Sequence, residues 1–168
     1  MRAIWVILLL FVVTVDCAAA DNPPEIYILK EAAPRVGTQI KAEMLRSRLP
    51  FDKTYEELSA QQLATLRDSY SHLAANDEPP YPEGGLARIG TEISRLPHNP
   101  AAHGPLVITV RVDDQGVAQS AAIYKSPDDD LASAIVAIVM KAKYKPAKCA
   151  GKPCPMEFPF IFDVGADR

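Results

Sequence analysis

The side chains able to do chemistry in this chain are few and scattered. Histidine stands at His72, His98 and His103, and none has a sequence-near Cys, Asp or Ser that would complete a nucleophile and its base. His98 and His103 flank a proline-rich join, and two ligands on such a join fall short of a zinc site. Asp113-Asp114-Gln115-Gly116 lacks the spaced acids and the distant Glu of a calcium loop, and reads instead as a turn in which Gly116 takes positive φ. Asp128, Asp129 and Asp130 suit the positive end of a helix dipole, with Ser126 as another capping candidate. This inventory assigns no catalytic residue, metal site or cofactor, so the chain reads as non-enzymatic.

Cysteine chemistry points to a staple. Cys149 and Cys154 flank Ala150-Gly151-Lys152-Pro153, which reads as a four-residue hairpin loop, and residues facing each other across antiparallel strands fit disulfide geometry. The expected compartment is oxidising. Arg2, an apolar run from Ala3 to Val15 and Ala18-Ala19-Ala20 together form a secretory signal over residues 1–20, with Asp21 as the mature N-terminus. That run is shorter than the ~20 residues a membrane-spanning helix needs. Asp16 takes the place of the small residue that lipoprotein signals put before their cysteine, here Cys17. A formal net charge of -3, without clustered Lys and Arg, argues against nucleic acid as a partner.

The elements that position these residues follow from periodicity. Over 21–76 the expectation is a helical N-terminal segment, with a weak helix at Thr38 to Arg48 ended by Pro50. A better-supported helix opens at the Ser59 and Gln62 capping box and carries Leu63, Leu66, Tyr70 and Leu73 on one side. Asn76 to Pro82 is held extended by three prolines, and a third helix spans about Glu83 to Leu96. Leu106, Ile108, Val110 and Val112 alternate as a strand, and Val117 to Tyr124 returns antiparallel to it. Leu131, Ile135, Ile138, Val139 and Ala142 form the buried stripe of a further helix. In the last strand, Met156, Phe158, Phe160, Phe162 and Val164 alternate with Glu157, Pro159, Ile161 and Asp163. Proline donates nothing to a ladder, so Pro155 and Pro159 mark this strand as an edge, where an extended peptide is able to add.

Several of these features occur together in a family order: Tyr81-Pro82, the Val107 to Gly116 hairpin, the Leu131 helix, Tyr144-Lys145-Pro146-Ala147, Gly151-Lys152-Pro153 and Phe158 to Phe162. The set resembles the periplasmic C-terminal domain of TonB-type energy transducers. The resemblance implies an α+β fold, a small antiparallel sheet packed on helices, for a domain at 77–168. It also implies no catalysis and a final strand that receives a peptide from an outer-membrane transporter. The partner-binding residues it implies are Met156, Glu157, Phe158, Phe160, Ile161, Phe162 and Val164. The chain departs from a transducer in its cleavable N-terminal segment, in the absence of a Pro-rich spacer, and in Ser94 to Gly104 intervening before the first strand. The expected function is a periplasmic, non-catalytic module binding a peptide or envelope protein by sheet-edge addition. The alternative is a membrane-anchored transducer, which would touch the membrane only if the N-terminal segment stays uncleaved.

Overall fold

The hairpin with alternating apolar residues organises the molecule. The computed structural model describes residues 24–32, 43–97 and 101–165, so the expected signal segment lies outside the described residues. In chain order the elements are β1 (Tyr27–Lys30), β2 (Glu43–Ser47), a single 3-10 turn (Tyr55–Glu57), α1 (Ala60–Arg67), β3 (Tyr81–Pro82) and α2 (Ala87–Ile93). They continue as β4 (Gly104–Val112), β5 (Ala118–Lys125), α3 (Asp129–Val139), β6 (Tyr144–Lys145), β7 (Ala147–Cys149), β8 (Lys152–Cys154) and β9 (Met156–Val164). The result is an α+β fold. Five strands form one sheet in the order β1-β2-β9-β4-β5, and β3–β6 and β7–β8 form two small ribbons.

Leu106, Ile108, Val110 and Val112 of β4 and Phe158, Phe160, Phe162 and Val164 of β9 turn to the same face, where all are buried. Leu131, Ile135 and Val139 of α3, Ile89 and Ile93 of α2 and Leu66 of α1 close that face into one core. Fully burying each such side chain contributes about 1.5–3 kcal/mol before entropy is counted. The turns are built as the sequence requires. Asp113 Oδ1 accepts from the backbone N–H of Gln115 and of Val117, each at 2.9 Å. Gly116 takes φ 81°, and a Cβ there would stand 2.0 Å from the Tyr144 carbonyl oxygen. Ser59 and Gln62 form the reciprocal capping box of α1, and Asp128 caps α3 by accepting from Leu131 N–H at 2.8 Å.

Four sequence expectations need correction. Part of the segment expected to be helical over Thr38 to Arg48 is a strand, because Glu43–Ser47 pairs with β1 and with the end of β9. A short isolated helix is marginal in water, and strand partners outweigh its propensity. The N-terminal segment is therefore mixed, and β1 and β2 extend the same sheet as the C-terminal strands. The third helix is limited to Ala87–Ile93, since Pro82 to Gly85 forms a turn closed by Gly85 N–H donating to the Pro82 carbonyl at 3.0 Å. The cysteine loop has two residues rather than four: Ala150 and Gly151, at φ 48° and 80°, make the turn. Finally, β9 is not the border of the sheet but the third of its five strands. No helix among the described residues is long and apolar enough to cross a membrane.

Candidate docking edge

β9 pairs with β4 along its entire length, from Gly104 opposite Val164 to Val112 opposite Met156. On its other side β2 reaches only two residues, with Leu45 opposite Val164 and Arg46 opposite Asp163. Among the described residues the strand is thus covered at one end of its second side and without a strand partner from Met156 to Phe162.

Proline chemistry shows which main-chain groups that side presents. Pro159 stands opposite Thr109 but lacks the N–H that a hydrogen-bonded pair uses, so this pair is of the non-bonded type. By alternation, Glu157, Pro159, Ile161 and Asp163 turn their main-chain groups away from β4. Asp163 meets Arg46. The Glu157 carbonyl accepts from the Tyr70 hydroxyl at 2.8 Å. Pro159 offers a carbonyl only, and Ile161 offers both its N–H and its carbonyl.

Side chains divide the expected partner-binding residues into two classes. Phe158, Phe160, Phe162 and Val164 are 1–2 % exposed, and by the same alternation their main-chain groups face β4, so they fix the strand rather than meet a partner directly. Their rings lock β9 in place: Phe158 meets Phe160 edge-on at 4.7 Å and Tyr81 at 5.6 Å, and Phe51 stacks on Phe162 at 6.0 Å. Glu157 and Ile161 are exposed on the outer face of the sheet, and Met156 is half-buried. Beside the uncovered stretch lies a cleft of ≈ 80 Å³, lined by Ser47, Arg48 and Leu49 where β2 splays away, by Thr65 and Ser69 beside α1, by Leu86, and by Phe158 to Phe162. Leu49 and Leu86 are buried, whereas Arg48 and Ser69 are exposed at its mouth.

The sequence reading missed Tyr70 and β2 as parts of this site. Tyr70 read as one more residue of an apolar helical stripe, and nothing in its spacing announces where its hydroxyl goes. Burial pushes the Tyr70 phenol well above its ordinary value, so it stays a protonated donor.

The approach to β9 is stapled. Cys149 and Cys154 form a disulfide with Cα atoms 5.8 Å apart. They are diagonal neighbours rather than a facing pair, because Cys149 stands opposite Lys152 and Cys154 opposite Ala147. The hairpin is tied to the proline-rich connector. Glu78 and Lys148 exchange two backbone hydrogen bonds of 2.8 Å, and the Glu78 carboxylate bridges Lys145 at 2.7 Å and Lys148 at 3.2 Å. Those ammonium groups, Lys145 first, hold the Glu78 carboxyl below its ordinary value. His72 is exposed with Nδ1 beside Ser71 Oγ, His103 Nδ1 contacts the Gly165 carbonyl, and His98 lies outside the described residues. Among the described residues no three His, Cys, Asp or Glu side chains group as a metal site.

Residues 100–164, which contain β4 through β9, match the family described as Gram-negative bacterial TonB protein C-terminal. That part of the chain is therefore TonB C-terminal-domain-like. Neither the curated proteins nor the solved structures contain a significant match to the chain.

Proposed function

We propose that this TonB C-terminal-like chain is a non-catalytic interaction module of the periplasm, exported and released by cleavage of its signal segment, that binds an extended protein segment along β9. The observation that carries this reading is the second side of β9, where Ile161 and Pro159 lack a strand partner among the described residues while β4 pairs with the strand through all nine of its residues. An incoming strand there gains main-chain hydrogen bonds, and its alternate side chains meet the cleft or the outer face. Met156, Glu157, Phe158, Phe160, Ile161, Phe162 and Val164 are the binding residues of this reading. Phe158, Phe160 and Phe162 serve by holding the strand against β4 and the core, whereas Ile161 and Glu157 meet the partner through open-side main chain and exposed side chains. Family likeness makes an outer-membrane transporter the first partner to examine.

The test is an array of acetylated heptapeptides drawn from envelope proteins, titrated with the full chain and with Ile161→Pro. That substitution removes an N–H from the open side and, by the alternation above, leaves the β4 ladder intact. Peptides that bind the wild type are expected to weaken at least about tenfold, through a lost donor and a ring in the strand's path. Binding unchanged by Ile161→Pro rejects edge addition.

A further inference from the structure

Both ends of the open side of β9 are occupied by the chain itself. At one end β2 pairs with Asp163 and Val164 and then splays away at Ser47 and Arg48. At the other the Tyr70 hydroxyl donates to the Glu157 carbonyl, the acceptor that an added strand would use there. Between them stand five residues, Phe158 to Phe162, a stretch of about 16 Å at strand rise. The cleft beside them measures ≈ 80 Å³, about half the size of a cavity that takes a benzene ring, so as it stands it admits single small side chains.

We infer that the docking edge is latched by its own chain, with Tyr70 the releasable latch at one end and β2 an internal competitor at the other, so that a partner strand binds only as these contacts give way. This rests on the docking reading and adds its regulation. The two closures differ in kind. Tyr70 gives one side-chain hydrogen bond to the Glu157 carbonyl, and withdrawing that hydroxyl frees the oxygen for a partner N–H, although the ring itself is half-buried against the core. β2 is anchored to β1 through Tyr27 to Lys30 but to β9 through only two residue pairs, so its hold on the docking strand is the weaker of its two pairings. Because β9 stays fixed by β4 in either state, the bistable parts are the latch and the competitor, not the docking strand.

The same heptapeptide array distinguishes this inference from its premise. Tyr70→Phe keeps the ring and removes only the hydroxyl, and it is expected to tighten binding by about two- to tenfold, the value of one net hydrogen bond. Arg46→Pro removes the donor facing Asp163, leaves the β1 side of β2 intact, and is expected to give a separate gain that multiplies with the first, as independent sites do. If Tyr70→Phe and Arg46→Pro bind no more tightly than wild type while Ile161→Pro still abolishes binding, the latch is overturned and docking stands. Binding indifferent to Ile161→Pro removes both. Should the wild type bind no peptide, binding that appears in the Tyr70→Phe, Arg46→Pro double variant establishes the latch, and its absence there overturns latch and docking together. Unchanged thermal melting and circular dichroism in each variant show that the fold is retained.

Discussion

Three tyrosines at the β9 site carry the same hydroxyl into different surroundings. Tyr70 gives its proton to a strand carbonyl, and Tyr144 gives its own to the Val139 carbonyl at 2.8 Å, closing the last turn of α3. Tyr81, fully buried against Phe158 and Tyr55, has no hydrogen-bond partner for its hydroxyl among the described residues. A buried hydroxyl without a partner costs free energy that a methine in its place does not. Tyr81→Phe is therefore expected to hold or raise stability, by up to about 1 kcal/mol, whereas Tyr144→Phe lowers it by about the same amount. Urea unfolding of the two variants checks the difference, and a loss at Tyr81 as large as that at Tyr144 would contradict it. Sequence alone offers no means of separating these positions, since each is an aromatic residue at an apolar site.

At the scale of elements, the β7–β8 ribbon is held by a disulfide closing a loop of four intervening residues, and by contacts to the Glu78 connector. So small a loop restricts the unfolded chain little. The Cys149→Ser, Cys154→Ser double variant is expected to lose about 2 kcal/mol. Hydrogen exchange should quicken within β7 and β8 while β4 and β9 keep their protection. Elements set by local rules were legible in the sequence: the alternation of β4, the Asp113 to Gly116 turn, the Ser59 capping box and the apolar stripe of α3 all depend on neighbours in the chain. β2 was not legible, because Glu-Met-Leu-Arg-Ser suits a helix and becomes a strand through its pairing with β1 and with the end of β9, more than a hundred positions away. Pro159 in β9, and Pro155 just before it, read as marks of an edge strand, whereas β9 lies inside the sheet. They did not show that the strand has β4 on one flank and a two-residue neighbour on the other, since that depends on where β2 goes.

Across the whole molecule, pH acts through several groups, Glu57 and Asp113 among the lowered carboxyls, and two sets lie around β9: Glu78 and the buried tyrosines. Glu78 has its carboxyl lowered from an ordinary 4.5 by Lys145 and then Lys148, so the unfolded chain takes up a proton before the folded one. Its contribution is full above about pH 4.5 and is lost as pH falls through the depressed folded value. Glu78→Gln should flatten the acid limb of a melting-temperature profile, and a limb as steep as wild type would exclude this ion cluster as its source. At the alkaline end Tyr70, Tyr81 and Tyr144 are raised above 10.0 by burial, so stability is complete below about pH 10 and declines above it as the unfolded chain ionises first. The position of β9 has a further consequence, for the order of assembly. Among the described strands of the main sheet, β9 is the one that joins β2 to β4, so the β1–β2 and β4–β5 pairs share a sheet only when it is in place. Its pairing with β2 spans more than a hundred positions, and closing so long a loop carries an entropic cost that the local β4–β5 hairpin does not, so the common sheet is the slower part of the fold to assemble.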